Sequence, residues 1–128
     1  MLTFEKLAPI IYVKDLASEV QFYQTLGFHI SYQGDEFPDF IALAHGNIEF
    51  GLSLRPTFNP DEANRSILWQ FQVNDLAEAV KLCRQHTYQH TSPKKYWEQG
   101  DGWEMQVQSP NGYQINLEGH APGQLDAS

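Results

Sequence analysis

The feature that most constrains this chain is a repeat at an offset of 60 residues. The segment Pro9-Ile-Ile-Tyr-Val-Lys-Asp-Leu-Ala-Ser-Glu-Val20 aligns with Trp69-Gln-Phe-Gln-Val-Asn-Asp-Leu-Ala-Glu-Ala-Val80, and Val, Asp, Leu, Ala and Val recur in register. A fixed period of this kind marks a unit used twice. Each copy opens with β-forming residues and then an Asp, Asp15 or Asp75, suited to accept backbone N–H groups from a first helical turn. Glu78, three residues after Asp75, adds the pattern of a capping box. The helices that follow carry the same inward face: Leu16, Val20 and Tyr23 fall at i, i+4 and i+7, and Leu76, Val80 and Cys83 repeat the spacing. Gly27 is placed to end the first helix.

Strand patterns follow each helix. In the first half they run from Phe28 to Gln33, Asp39 to Ala44 and Ile48 to Leu54, with Gly46-Asn47 as a tight turn. In the second half, Trp103 to Gln108 and Tyr113 to Glu118 flank the turn signal Ser109-Pro110-Asn111-Gly112. Tyr88 to Asp101 carries weaker signals and is expected to hold a short strand and a loop bearing Trp97. The fold class predicted is α+β, two βαβββ modules in tandem forming a curved mixed-sheet cup with helices outside. One domain covers 1–128: module 1 at about 5–55, a linker at about 56–65, module 2 at about 66–119, and a polar tail at 120–128.

The composition narrows the function. Sixteen acidic residues against eight basic ones give a net charge of −8, a field that repels nucleic-acid backbones and favours cations. The longest apolar run, Leu7 to Val13, is too short to span a membrane. The opening Met-Leu-Thr-Phe-Glu-Lys lacks the pattern of a secretory leader. The single cysteine, Cys83, allows no internal disulfide and falls in a core-facing slot. A cytoplasmic protein is expected, with no nucleic acid and no membrane among its partners. Its small size favours a homodimer.

Three stretches carry a family resemblance: Val13-Lys-Asp-Leu with Phe22-Tyr23 and Leu26-Gly27-Phe28; Val73-Asn-Asp-Leu; and Ser109-Pro-Asn-Gly-Tyr-Gln-Ile-Asn-Leu-Glu118. Together they resemble the vicinal oxygen chelate superfamily of glyoxalases, extradiol dioxygenases and bleomycin-resistance proteins. In size, acidity and the segment Gly102-Trp-Glu-Met-Gln-Val the chain looks most like the bleomycin-resistance members. The resemblance implies a ligand on the concave face of the sheets. In metal-dependent members it also implies four His, Gln or Glu ligands from the first and last strands of each module. Those positions fall here at Ala8, near Gly51, at Leu68 and at Asn116. A shift of two residues brings in Glu49 or Glu118 but no histidine. No metal, no cofactor and no catalytic residue are therefore expected.

Strand alternation selects the candidate ligand face. In module 2 it leaves Gln70, Gln72, Glu104, Gln106 and Asn116 opposite the apolar side, a run of amides and carboxylates rich in donors and acceptors. In module 1 it leaves Tyr12 opposite Ile11 and Val13, and Glu49 opposite Ile48, Phe50 and Leu52. Tyr32, Phe37 and Phe40 fall where bleomycin-resistance proteins carry a Phe-containing groove segment. Trp97 lies in a polar loop, and Trp103 lies two positions beyond the family's Trp, whose place is taken by Asp101. Aromatic faces beside carboxylates suit an aromatic or cationic small molecule. The expected function is metal-independent binding of such a ligand, as in antibiotic resistance by sequestration, in a cup often found at a dimer interface. The alternative is a glyoxalase- or dioxygenase-like enzyme, a lyase or oxidoreductase with a divergent or absent metal site, in which Glu49, Glu104 or Glu118 could act as a base.

Overall fold

The computed structural model describes residues 1–96 and 98–122. Its elements in chain order are β1 (Ile10–Val13), α1 (Leu16–Thr25), β2 (His29–Tyr32), β3 (Phe40–His45), β4 (Ile48–Leu54), a 3₁₀ turn (Pro60–Glu62), β5 (Trp69–Gln72), α2 (Leu76–Gln85), β6 (Lys94–Lys95), β7 (Trp103–Gln108) and β8 (Gln114–Gly119). Two four-stranded mixed sheets result, ordered β1-β4-β3-β2 and β5-β8-β7-β6. In each, the first strand pairs parallel with the last and the other neighbours are antiparallel. The fold is thus α+β, two βαβββ modules in tandem. The contacts divide the chain into two compact units, Met1–Asn59 and the part from Pro60 onward.

Both helices start and stop by the same chemistry. Asp15 accepts from the Ser18 N–H at 3.2 Å, and Asp75 from the Glu78 N–H at 3.1 Å. At the far end of α1, Gly27 N–H bonds the Gln24 carbonyl and Phe28 N–H bonds the Tyr23 carbonyl, each at 3.0 Å. In α2, Thr87 N–H bonds Arg84 and Tyr88 N–H bonds Cys83, the same two-bond cap. This cap needs a left-handed residue. Gly27 supplies it in α1 at φ 104, but in α2 the position is Thr87, held at φ 56.

The core of the first unit lies between α1 and one face of its sheet. Tyr23 is its hub, with Phe22, Phe28 and Phe50 packed edge-on at centroid distances of 5.0, 5.5 and 4.9 Å. Ile11, Val13, Leu43 and Leu52 close the layer. Glu19 also lies on the buried stripe of α1, where Ala79 stands in α2. In the second unit Leu76, Val80 and Cys83 of α2 meet Met105, Val107, Ile115 and Leu117, all buried. Burial pushes the Cys83 thiol up to about 11. That is the state of a packed thiol with little thiolate at neutral pH.

Two turns deserve their glycines. Gly46, at φ 59, opens the two-residue turn joining β3 to β4. Gly112, at φ 93, closes the turn before β8, where an added side-chain carbon would lie 2.9 Å from the Pro60 carbonyl oxygen. Asn64 locks the same turn, donating to the Gly112 carbonyl at 2.9 Å and accepting from the Gln114 N–H at 2.8 Å. Among the described residues no helix is long and apolar enough to cross a membrane.

Candidate functional site

In the first unit, alternation along β1 buries Ile11 and Val13 and leaves Ile10 and Tyr12 on the open face, 60% and 42% exposed. The register sets two rows there: Ile10–Gly51–Ala42–Tyr32 and Tyr12–Ser53–Phe40. Tyr32 stands 6.5 Å from Phe37 and 6.0 Å from Phe40, centroid to centroid, so these three candidates form one aromatic cluster. Tyr12 stands at the other end of its row and has a different partner. The Arg55 guanidinium lies 4.0 Å over its ring and donates to its hydroxyl at 3.0 Å.

Gly51 has a definite spatial role. A side-chain carbon there would lie 2.5 Å from the Phe40 ring and 3.2 Å from Ile10. The absence of a side chain lets Phe40 lie flat across β4. Glu49, two positions earlier, is ion-paired with Lys6. That contact, together with a hydrogen bond from Ser31, holds its carboxyl below the ordinary carboxylate range despite some opposing desolvation.

In the second unit, the expected amide-and-acid face is built as alternation predicts. Met105, Val107, Ile115 and Leu117 are buried, while Glu104, Gln106, Asn116 and Glu118 between them are half-buried. The register arranges the face in rows. One runs Gln72–Glu118–Glu104–Lys94 across all four strands, and the next runs Gln70–Asn116–Gln106. Beyond them Gln114 stands opposite Gln108. Trp103 shares the side of Met105 and Val107, so the pleat turns it away from Glu104 and Gln106. Trp97 lies outside the described residues.

Two hollows flank these rows. At the acidic end, a cavity of about 390 Å³ is lined by Gln72, Tyr96, Asp101, Glu118 and His120, with the backbone of Gly102 and Gly119. Glu118 is fixed here from both sides: Gln70 Nε2 donates to Oε2 at 2.6 Å and the Tyr96 hydroxyl to Oε1 at 3.1 Å. The bond to Glu118 raises the Tyr96 pKa, because ionising the phenol would set two anions together. Gly102 makes room for this tyrosine, since any side chain there would overlap its ring. At the amide end a second cavity, of about 310 Å³, involves Gln106, Gln108 and Gln114.

The positions where metal-dependent members would carry ligands do not suit an ion. Gly51 offers no donor and is roofed by Phe40, Leu68 is an exposed apolar side chain, and Asn116 presents an amide whose oxygen accepts from Gln114 at 3.4 Å. Among the described residues no three His, Cys, Asp or Glu side chains gather as a ligand set. Sequence reasoning missed Lys6, Arg55 and Tyr96, which neutralise, cover or fix predicted residues. Only Tyr96 had a signal, its place beside the polar loop before β7.

A family model described as the Glyoxalase/Bleomycin resistance protein/Dioxygenase superfamily matches residues 5–117. No curated protein matches the chain. Among solved structures it is similar to a bleomycin-binding protein complexed with bleomycin, at 20% identity and TM-score 0.67, covering 92% of this chain and 100% of that one. A bleomycin resistance determinant encoded on the transposon Tn5 is similar at 20% identity and TM-score 0.66, covering 91% and 98%. A hypothetical protein from S. aureus is similar at 17% identity and TM-score 0.72, covering 89% and 96%. At such identities the likeness carries the fold.

Proposed function

The chain belongs to the glyoxalase/bleomycin resistance protein/dioxygenase superfamily, and from that premise we propose that it is a metal-independent small-molecule-binding protein of the bleomycin-resistance type. The ligand is aromatic or cationic, and the working form is a cytoplasmic homodimer. One observation carries the reading: the second sheet presents a continuous face of hydrogen-bonding side chains, with Glu104 and Glu118 directly opposite each other on β7 and β8. Like charges so placed repel; Lys94 stands across from Glu104 on its other side, and a cationic group above the two carboxylates would relieve the repulsion that remains. Taken by itself, the first unit's cluster of Tyr32, Phe37 and Phe40 is also a surface on which an aromatic group could stack. Similarity to a protein complexed with bleomycin supports the same class of ligand.

The enzymatic alternative draws no comparable support. Glu49 is held in its charged form by Lys6, whereas a base working near neutral pH needs the opposite shift. Both oxygens of Glu118 already accept hydrogen bonds.

Titrating the purified protein with metal-free bleomycin while following tryptophan fluorescence tests the reading. Saturable quenching or enhancement is expected, weakened roughly tenfold or more in the Glu104→Gln/Glu118→Gln double variant, because hydrogen bonds to charged groups are worth roughly 1.5–3 kcal/mol each. A flat titration, by fluorescence and by calorimetry, refutes the bleomycin-type reading. Sedimentation of the same sample measures the dimer.

A further inference from the structure

We propose that the cavity at the amide end of the second sheet is a subsite for an uncharged, planar group carrying a donor and an acceptor side by side, such as a carboxamide or an amino-substituted nitrogen heterocycle. The inference deepens the reading above, to which it adds a second and chemically different end of the ligand face.

The first ground is the lining. The cavity of about 310 Å³ is bounded by four glutamines, an asparagine, a threonine, a histidine and a glycine. The chain has sixteen Asp and Glu and eight Lys and Arg, and none of those among the described residues lines it. A lining with no carboxylate, ammonium or guanidinium gives a cation or an anion no opposite charge to pair with, only amide dipoles. The hollow is open to solvent, with Gln89 and Gln108 exposed, so a charged group gains little there over water, whereas a neutral amide can pair its whole edge with the glutamines.

The second ground is which of these groups remain available. Asn64 is held by the turn, donating to the Gly112 carbonyl and accepting from the Gln114 N–H. The Thr91 hydroxyl accepts from the Gln106 N–H at 2.9 Å, and the Thr91 N–H donates to the Gln106 carbonyl at 2.9 Å. His90 Nδ1 lies 3.0 Å from the Thr91 carbonyl, which engages that nitrogen within the turn. These bonds, with Gln108 N–H to the Gln89 carbonyl at 2.9 Å, extend the sheet beyond β7 and fix the floor. The side-chain amides of Gln89, Gln106 and Gln108 have no hydrogen-bond partner among the described residues. Each offers a donor and an acceptor in one plane, the complement of another amide edge. Gln bonds adenine in DNA through the same pairing of edges. The volume suits one planar ring with its substituent, being at the low end of ligand pockets.

Three probes of one shape separate the possibilities: benzamide, benzamidine and benzoate, which are neutral, cationic and anionic. Each is titrated into the ¹⁵N-labelled full chain at millimolar concentration and followed by amide correlation spectra. Benzamide is expected to shift the backbone amides of 89–91 and of Gln106 and Gln108, together with glutamine side-chain NH₂ signals, while the two charged probes leave these unmoved. The Gln106→Met/Gln108→Met variant keeps side-chain length and should weaken benzamide roughly tenfold, the scale expected for two neutral hydrogen bonds. Gln106→Glu should reverse the preference in favour of benzamidine, a gain that misfolding could not mimic. Equal shifts from all three probes, or shifts confined to the Tyr96–Glu118 end, overturn the proposal. If bleomycin binds and benzamide does not, this inference alone fails. If benzamide binds here and bleomycin does not bind, the proposed function fails and the subsite stands.

Discussion

Replacing Thr87 by glycine should stabilise the protein by about 0.5–1 kcal/mol. Thr87 holds φ 56 as the left-handed residue that closes the cap of α2. For an L-residue that conformation costs roughly 1–2 kcal/mol, and a β-branched side chain is among the least tolerant of it. Glycine removes this strain but brings a more flexible unfolded chain, which returns roughly 0.5–1 kcal/mol. The Thr87 hydroxyl bond to the His86 carbonyl, 2.7 Å long on an exposed turn, is a small further loss. The balance remains favourable, and for a chain of this length it raises Tm by roughly 2–5 °C. Urea unfolding and calorimetry of Thr87→Gly and Thr87→Ala measure it. Alanine loses the hydroxyl and the branch but keeps the left-handed strain, so glycine should exceed alanine. A Thr87→Gly protein no more stable than Thr87→Ala refutes the strain argument. The mirror change in the first module, Gly27→Thr at φ 104, should destabilise by more than the second module gains.

Two further outcomes follow from packing and burial. Gly51→Ala drives a methyl group into the Phe40 ring and should cost about 1–3 kcal/mol in urea unfolding, much of it recovered in Gly51→Ala/Phe40→Leu; a neutral single variant would mean that Phe40 does not rest on β4. The Cys83 thiol, raised by burial to about 11, favours the folded state fully below the unfolded thiol's pKa near 9 and loses that contribution as pH rises towards 11. Stability should therefore decline between pH 9 and 11, and Cys83→Ala should flatten that decline while lowering stability at neutral pH through the cavity it leaves.

The scaffold was legible because its periodicities are local. Asp15 and Asp75 cap as their spacing indicated, and alternation assigned both sides of β5, β7 and β8 correctly. The strand boundaries shifted by a residue or two: β3 gained His45 and β8 gained Gly119. What escaped were pairings over long separations. Nothing near Glu49 in sequence announces Lys6, 43 residues away, and nothing near Tyr12 announces Arg55, also 43 residues away. Thr87 was hidden differently. At an offset of 60 it stands in register with Gly27, but a threonine carries no mark of left-handed backbone until the cap is seen. Glu19 breaks the apolar stripe of α1 at a buried position for which periodicity alone would choose an apolar residue.

The strand order also dictates when each module can be completed. β5 pairs only with β8 within its sheet, Trp69 meeting Ile115 across 46 positions, and β8 is the last strand of that module to be synthesised. Until it arrives β5 has no neighbour and β7 has only the two-residue β6 beside it. Pairings this distant make for slow folding and a long-lived, unpaired strand edge. A chain interrupted after β7 lacks the strand that joins the rest, so loss of those few residues costs the second sheet as a whole.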